Sequence, residues 1–472
     1  PVDFPVGYAS SDQPYYYRLK PTTRGTDGWS EDWPDPLIPL RDGSVRLVAG
    51  RTQPLWFDVR VPAETSPGEY TGTVELSFAG ATYTVSVKLT VWPLVLPERK
   101  NMKAIYDLRS GWRNIFPGDR WEMIATWLRL LSSYNVSPGV IEPSPKISYE
   151  GGKLSMDFAE FDRTCTLLFD ELKCNVAYTP GFFYALGWAY PPKEYFGFKP
   201  FTPEWIQILQ DGLRMFYNHC REKGWDKYFV YYLSDEPDGQ NDEVQSNLAR
   251  ICDLAREAVP GILVYSSTWS HQPKLDDHLN LWGIGPQGTF PLEEMEQRRK
   301  AGDRFWFTTD GQMCLDTPYL AIERLLPWLC FKYNVEAYEF WGVSWWTYDP
   351  WKYGWHSYIR QSHEGKVYRW VRYPNGDGFL TYPGDALGQK EPVPSIRLAA
   401  AREGVEDYEL FLAAQAKADQ VAACARALDG VRELVQIPNK GGRHSTSLMP
   451  NPTAVQGARV ALGEALAQAD GR

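Results

Sequence analysis

The first hundred residues alternate apolar and polar side chains with a period of two, which is typical of half-buried β-strands. In the clearest case, Tyr70, Val74 and Leu76 alternate with threonine and glutamate. Turn-forming residues such as Ala79-Gly80 separate the apolar segments. We therefore predict an N-terminal β-sandwich over residues 1–100. Its predicted strands are Val45–Val48, Gln53–Val61, Gly68–Ser77 and Ala81–Trp92.

From Met102 onward, short and continuously apolar segments alternate with helical segments. This alternation is typical of repeated βα units and predicts a (β/α)8 TIM barrel over residues 101–394. Thr202-Pro203 and Thr317-Pro318 each place a capping residue before a first-turn proline, and Asn241 opens a further helix. The eight predicted barrel strands are Lys103–Leu108, Val136–Ile141, Val176–Phe183, Tyr228–Leu233, Ile262–Ser267, Leu279–Ile284, Arg304–Thr308 and Val335–Trp341.

The pattern changes twice more toward the C-terminus. Residues 342–394 are rich in Trp, Tyr and Gly and show little periodicity, and a passage of this length is rarely an inert loop. We therefore expect it to contribute to function. From Ser395 the chain is rich in Ala and Leu at helical spacing, which predicts a C-terminal helical segment over 395–472 packed on the outside of the barrel.

One predicted barrel strand, Tyr228–Leu233, is followed by two adjacent acids, Asp235 and Glu236. In a parallel barrel the C-terminal ends of the strands converge on the active site, so acids in this position are candidates for catalysis. Pro237 biases Glu236 away from helical geometry and is expected to project its side chain from the rim. The alternative is an ordinary strand followed by an acidic helix start.

Composition excludes several classes of function. The chain of 472 residues is long enough for two or three domains, and its net charge of −10, without a Lys/Arg run, argues against nucleic acid or an anionic membrane as partner. No apolar run reaches transmembrane length and no signal peptide is visible, so a cytoplasmic location and secretion after processing both stay open. The aromatic content of 15% suits sugar-stacking surfaces as well as ordinary packing.

The motifs give no support to a metal or an organic cofactor, and none is expected. The seven cysteines form no CxxC pair and are expected to be mostly buried thiols, while the six histidines show no ligand spacing. The segment from Gly283 to Gly288 matches GxGxxG, but Pro286 removes a backbone donor where a phosphate would bind. That segment is predicted to be a turn.

The remaining chemistry is that of carboxylates, and two mechanisms are open. An ordinary retaining glycosidase needs two carboxyl groups about 5 Å apart on opposite sides of the bond, which would pair Glu236 with Asp310 at the end of another strand. Adjacent acids suit a different mechanism, in which the 2-acetamido oxygen of the substrate attacks C1. Asp235 would then orient the amide while Glu236 protonates the leaving oxygen.

From the Asp235-Glu236 pair onward, the sequence resembles glycoside hydrolase family 123, whose described members are β-N-acetylgalactosaminidases, and the uncharacterised proteins that share its barrel. The resemblance covers most of the chain. It includes segments within Trp56–Pro97, Glu323–Trp328, Phe340-Trp341-Gly342, Gly376-Asp377-Gly378, Tyr382-Pro383-Gly384, Pro394–Arg397 and Gly404–Phe411.

The resemblance implies an exo-acting β-N-acetylgalactosaminidase on a glycan or glycoconjugate substrate, with Asp235 orienting the acetamido group and Glu236 as acid/base. Tryptophans line the sugar pocket in the family, and Trp341 matches one of its motifs. Further candidates for substrate binding, chosen by their places at strand ends, are Tyr184, Trp282, Trp306, Asp310, Trp345 and Trp346. Core packing is the alternative for each aromatic candidate. A noncatalytic carbohydrate-binding barrel is the remaining alternative for the whole chain.

Overall fold

A computed structural model describes most of the chain, with gaps. The described residues are 2–10, 32–108, 119–186, 191–286, 288–309, 321–346, 350–353, 358–363, 366–372, 376, 378–437 and 451–469. For residues 2–10, 32–33, 321–322, 352–353, 358–363 and 366–372 the description covers the backbone alone.

Strands and helices alternate through the middle of the chain and give way to helices at its end. The strands are β1 Val2–Ser10, β2 Asp32–Leu37, β3 Leu55–Asp58, β4 Gly68–Phe78, β5 Ala81–Val91, β6 Lys103–Tyr106, β7 Lys146–Glu150, β8 Lys153–Asp157, β9 Ala177–Tyr178, β10 Phe229–Asp235, β11 Val264–Trp269, β12 Leu281–Ile284, β13 Arg304–Thr309, β14 Ala337–Phe340, β15 Tyr358–His363, β16 Lys366–Arg372, β17 Thr381–Tyr382 and β18 Val393–Pro394. The α-helices are α1 Arg120–Ser133, α2 Ala159–Cys165, α3 Pro203–Lys223, α4 Asp242–Ala258, α5 Leu292–Lys300, α6 Ala321–Tyr333, α7 Pro350–Tyr353, α8 Ile396–Gln415, α9 Ala422–Leu434 and α10 Pro452–Ala469.

A parallel sheet of seven strands forms the centre of the molecule, in the order β6-β14-β13-β12-β11-β10-β9. The gap between its two edge strands is bridged by residues 137–140. Ser137 pairs in parallel with Ile105 of β6, and Val140 pairs in parallel with Tyr178 of β9. Residues 137–140 therefore occupy the eighth strand position, and the sheet closes into a TIM-like barrel.

All eight predicted barrel strands coincide with positions around this barrel, although the second is a pair of isolated bridges rather than a regular strand. The barrel interior is filled by a separate apolar cluster that includes Val230, Tyr265, Leu281 and Trp306. Alternate side chains of the same strands point outward to the helices, because successive side chains of a strand lie on opposite faces. This alternation fixes which polar residues reach the interior.

Two helix starts agree with the capping signals in the sequence. The Thr202 side chain accepts a hydrogen bond from the Trp205 backbone at the start of α3, and the Asn241 side chain caps α4 in the same way. The start signal at Thr317-Pro318 lies outside the described residues. Six cysteines within the described ranges are free and buried, as predicted, and Cys314 lies outside those ranges.

The N-terminal part is all-β, as predicted, but the sandwich is only partly present. Strands β2, β1 and β3 form one antiparallel sheet, and β4 and β5 form a separate hairpin. No strand forms over Val45–Val48. One face of the hairpin is apolar and largely solvent-exposed, with Phe78 54% and Tyr83 57% exposed. The described residues thus include strands that a sandwich would contain, but among them no second sheet covers the apolar face of the β4–β5 hairpin.

The C-terminal helical segment forms as predicted over the described residues, and α8 packs against α6 of the barrel. The predicted domain boundaries near residues 100 and 394 stay predictions. Among the described helices, none combines the length and the apolar character that a membrane span requires.

Candidate active site

Strand β10 carries the acid pair at its C-terminal end, where one extra residue changes the direction of the side chains. Tyr232 pairs with Tyr265 of β11, but the register then shifts, so that Asp235 pairs with Ser267. Without this shift, Asp235 would follow the outward alternation of Tyr231. With it, Asp235 lies on the interior face beside Ser267. Bulges of this kind commonly re-aim a side chain next to an active site.

Glu236 follows immediately and has a backbone φ of +43°. Residues with a β-carbon rarely adopt this left-handed region, and it ends the strand by turning the chain at the barrel rim. The Glu236 backbone N–H donates to the Ser267 carbonyl oxygen at 3.1 Å. The conformation is therefore held by the neighbouring strand. Both acidic side chains are half-buried.

Ser267 also contacts the other acid through its side chain. Its hydroxyl donates to Asp235 Oδ1 at a distance of 2.5 Å, which is within the range of hydrogen bonds from a hydroxyl to a carboxylate. Ser267 itself is 1% exposed. One buried serine thus contacts both members of the acid pair.

Below the acid pair, the barrel interior holds a layer of phenols and a third carboxylate. Glu339 of β14 is buried, and its Oε1 accepts hydrogen bonds from Tyr265 at 3.3 Å and from the Thr308 hydroxyl. Burial, together with the negative charges of Asp235 and Glu339, raises the pKa of Tyr232 and of Tyr265 well above the usual range. Both phenols therefore stay protonated and keep their hydrogen-bond donors.

A further carboxylate, Asp107, directly follows the first barrel strand and is 6% exposed. Gly139 makes room for it, because a β-carbon at Gly139 would lie 2.6 Å from Asp107 Oδ1 and 3.0 Å from the Tyr178 ring. The charges of Glu339 and Asp107 contribute to the raised pKa of Tyr178, after burial. Asp107 therefore belongs to the same acidic interior as Glu339.

Tyr184 lies beside the acid-bearing strand. Leu186 pairs in parallel with Ser234 of β10, and the Tyr184 ring meets the Tyr232 ring edge-on at a centroid distance of 5.4 Å. Its side chain is half-buried. Tyr184 is thus a half-buried predicted candidate in contact with the phenols next to Asp235.

Trp341 and Trp345 form a second aromatic group at the C-terminal end of β14, on the opposite side of the barrel from β10. Their rings are 4.9 Å apart and nearly perpendicular, and both side chains are half-buried. Gly378 packs on Trp341 so closely that a β-carbon there would lie 2.5 Å from the indole. These two tryptophans lie in the residues that directly follow β14, at the end of the barrel that carries the acid pair.

The other predicted aromatic candidates lie in the core. Trp282 is 0% exposed on the outer face of β12 and donates its Nε1 to Asp303 at 2.8 Å. Trp306 is 0% exposed and packs beside Tyr265 within the barrel with the two rings tilted, while Trp346 donates to the Thr381 carbonyl and packs on Trp127. The structure does not bring these three into contact with the acid pair. Asp310 lies outside the described residues, directly after the end of β13.

Comparison with known protein families gives a match over the middle of the chain. Residues 145–414, more than half of the chain, match the model of the glycoside hydrolase 123 catalytic domain, and this range contains the acid pair. The chain belongs to glycoside hydrolase family 123.

One solved structure of the same family agrees with the assignment of the fold. A family 123 glycoside hydrolase from Clostridium perfringens, studied for the hydrolysis of glycolipid glycans, superposes with a TM-score of 0.68 at 15% identity, covering 99% of this chain and 85% of that one. A family 39 glycoside hydrolase from Bacteroides cellulosilyticus gives a TM-score of 0.38 at 11% identity, covering 72% of this chain and 71% of that one. No curated protein matches this family 123 chain in sequence.

Sequence reasoning missed three polar residues of the candidate site. Asp107 had the same signal as Asp235, an acid directly after an apolar strand. Glu339 was visible as a charge within the apolar segment Val335–Trp341. Ser267 had no distinguishing signal, because its role depends on the register between two strands.

The site contains no arrangement suited to a metal ion within the described residues, since no three His, Cys, Asp or Glu side chains there converge as ligands. Its charged groups are carboxylates that border protonated phenols. Such an arrangement can donate and accept protons and hydrogen-bond to the hydroxyl and amide groups of a sugar.

Proposed function

We propose that the protein is an exo-acting hydrolase that removes terminal β-linked N-acetylgalactosamine with retention of configuration, using the substrate's own acetamido group as nucleophile. The observation that carries this proposal is the placement of Asp235 and Glu236 as consecutive residues at one strand end, with Asp235 turned inward and hydrogen-bonded by Ser267. Membership of family 123 supports a glycosidic substrate.

In the first step, the acetamido carbonyl oxygen bonds to C1 while the bond from C1 to the leaving oxygen breaks. Glu236 gives its proton to that oxygen, and Asp235 accepts the amide N–H and stabilises the positive charge of the resulting oxazolinium. In the second step, the Glu236 carboxylate removes a proton from water, whose oxygen bonds to C1 as the bond to the amide oxygen breaks. Glu236 ends protonated, as it began.

This mechanism fits adjacent acids better than an ordinary double displacement does. A carboxylate nucleophile has to attack C1 from the side opposite the proton donor, and consecutive residues of one strand cannot easily flank a sugar in that way. An internal nucleophile removes this requirement, because the substrate's own amide oxygen attacks C1 from the face opposite the leaving oxygen, and Asp235 needs only to reach the amide N–H at C2.

The test is the hydrolysis of matched aryl β-glycosides of N-acetylgalactosamine, N-acetylglucosamine, galactose and glucose. We expect turnover of the N-acetyl sugars, with N-acetylgalactosamine preferred, and inhibition by a thiazoline that mimics the cyclised amide. Turnover of the 2-hydroxy sugars at an equal or higher rate would refute the use of the acetamido group.

A second candidate is a conventional retaining glycosidase with Glu236 as acid/base and Asp310 as nucleophile. It is favoured by the position of Asp310 in the sequence, directly after Thr309, the last residue of β13, because acids that follow barrel strands are candidates for catalysis. A 2-fluoro glycoside would trap a covalent sugar on Asp310, which peptide mass spectrometry detects. The substrate-assisted mechanism predicts no such adduct.

A further inference from the structure

Ser267 lies at the point where β11 passes the acid pair, and three of its hydrogen bonds involve that pair. Its hydroxyl donates to Asp235 Oδ1 at 2.5 Å. Its carbonyl oxygen accepts the Glu236 N–H at 3.1 Å, and its hydroxyl oxygen lies 3.4 Å from the same nitrogen. A serine hydroxyl has a single hydrogen, so donation to Asp235 fixes its rotation and leaves its oxygen lone pairs facing Glu236.

The backbone around Ser267 is itself constrained by the next strand. Gly283 of β12 pairs with Ser267, and a β-carbon at Gly283 would lie 2.7 Å from the Ser267 Cα and 2.5 Å from the Tyr265 hydroxyl. Strand β12 therefore packs directly against Ser267, and the serine has little freedom to move away from the acids. This close approach of the two strands explains why position 283, the first residue of the GxGxxG match, is a glycine.

We propose that Ser267 is a positioning residue for the reaction, which holds the Asp235 carboxylate in the plane needed to receive the substrate amide and fixes the left-handed turn that presents Glu236. This inference rests on the proposed substrate-assisted mechanism. An Asp side chain has two rotatable bonds, and a misplacement of about 1 Å at a reacting group can cost about 100-fold in rate. A short hydrogen bond from a buried donor removes that freedom.

The chain offers a matched control in the same strand. Ser266 is also fully buried, but its side chain lies on the opposite face of β11, and its Oγ has no hydrogen-bond partner among the described residues. Ser266→Ala and Ser267→Ala therefore remove the same atom from neighbouring buried positions, and only Ser267→Ala removes a contact with the acid pair.

The experiment measures kcat and KM of the wild type, Ser266→Ala and Ser267→Ala on aryl β-N-acetylgalactosaminides whose acetyl group carries zero, one, two or three fluorines. Fluorination weakens the amide oxygen as a nucleophile. The slope of log kcat against the number of fluorines therefore reports how strongly the rate depends on attack by that oxygen. For Ser267→Ala we expect kcat to fall by about 10- to 100-fold, KM to stay near the wild-type value and the slope to change. Ser266→Ala should match the wild type in kcat, in KM and in the slope.

The outcomes separate this inference from the proposed function. An inactive wild type on the unfluorinated substrate would overturn both. An active wild type with a Ser267→Ala variant of equal kcat would overturn the positioning role alone. So would a loss in kcat of the same factor on all four substrates, because a merely structural defect lowers activity without altering its dependence on the amide.

Discussion

Glu236 combines a functional side chain with a backbone conformation that its side chain disfavours. A φ of +43° in a residue with a β-carbon costs on the order of 1 kcal/mol or more. The hydrogen bond from its N–H to Ser267 offsets part of this cost. Such strain commonly lies at functional sites, because the surrounding structure enforces a geometry that local preference would not select.

This strain predicts an unusual order of stability for substitutions at Glu236. Glycine adopts positive φ without a steric penalty, so Glu236→Gly should be at least as stable as Glu236→Ala. At an exposed helical position such as Glu243 of α4, the order should be reversed, because glycine disfavours the helix relative to alanine. Urea unfolding of the four variants measures this, and a Gly variant at 236 weaker than its Ala counterpart by the margin seen at 243 would contradict it.

Glu323 is a second residue with an unfavourable environment. It lies in the first turn of α6, is 0% exposed, and neither carboxyl oxygen has a hydrogen-bond partner among the described residues. Burial raises its pKa to about 8, although the Glu323 backbone and the charge of Arg397 act in the opposite direction, and Asp35 raises it further. The folded protein therefore binds this proton more tightly than the unfolded chain does.

The sign of the pH dependence follows. Between the unfolded pKa of Glu323, near 4.5, and the folded value of about 8, unfolding releases a proton, so this group lowers stability progressively as pH rises through that range. Glu323→Gln should remove this cost. It should have little effect on stability near pH 5 and stabilise by a few kcal/mol, on the order expected from the shift, at pH 9.

Chemical unfolding of the wild type and Glu323→Gln at several pH values tests this prediction. Glu293→Gln is the control, because Glu293 is an exposed glutamate in the first turn of α5. A difference between wild type and Glu323→Gln that does not grow from pH 5 to pH 9 would show that Glu323 does not titrate in this range.

At the scale of elements, residues 378–380 pack against the residues that follow β14. Gly378 has φ +82° and packs on the Trp341 indole, and a β-carbon on Gly342 would lie 2.8 Å from the Gly378 Cα. The Trp345 N–H donates to the Gly378 carbonyl at 2.9 Å. Gly342 and Gly378 thus let the backbone at residue 378 approach closely enough to pack on Trp341 and to accept a hydrogen bond from Trp345.

Gly378→Ala should therefore displace Trp341 and lower stability by about 1–3 kcal/mol. Gly388→Ala is the control, because Gly388 also has a positive φ, +65°, but a β-carbon there meets nothing within 4 Å. The excess loss of Gly378→Ala over Gly388→Ala measures the clash with the indole. Unfolding free energies and tryptophan fluorescence measure this excess. Equal losses of unfolding free energy in both variants would mean that the Trp341 indole moves aside without destabilising the protein.

At the scale of the whole molecule, one buried ion pair joins the N-terminal sheet to the barrel and to α8. Asp35 of β2 and Arg397 of α8 are both 0% exposed and lie 3.0 Å apart. Arg397 also donates to the carbonyls of Gly376 and Phe379, and the Tyr382 hydroxyl donates to Asp35. The pair thereby connects the N-terminal part to the segment that supports Trp341.

Removing either partner leaves the other charge buried, which typically costs about 3–5 kcal/mol. We expect Asp35→Ala and Arg397→Ala each to lose stability of this order, and the double variant to lose clearly less than the sum of both. The exposed pair Lys88–Glu69 of the hairpin should contribute at most about 1 kcal/mol in the same double-mutant cycle. Additive losses at Asp35 and Arg397 would show that the two residues stabilise the fold independently.

Much of the architecture was predictable because it depends on local patterns. The period of apolar residues gave the eight barrel strand positions, the strands β4 and β5, and the C-terminal helices, and the caps at Thr202 and Asn241 gave two helix starts. Each of these signals depends on residues within a few positions of one another. The packing of the N-terminal strands was not predictable in the same way, since it depends on which faces meet.

The sequence by itself determined that two adjacent acids lie at the C-terminal end of a barrel strand, and therefore at which end of the barrel they are found. Only the tertiary structure decided that Asp235 points inward, because a one-residue shift against β11 reverses the alternation of β10. In the same way it separated the half-buried Trp341 and Trp345 from the fully buried Trp282 and Trp306. Composition and spacing treat these tryptophans alike, whereas their exposure depends on contacts between segments far apart in the chain.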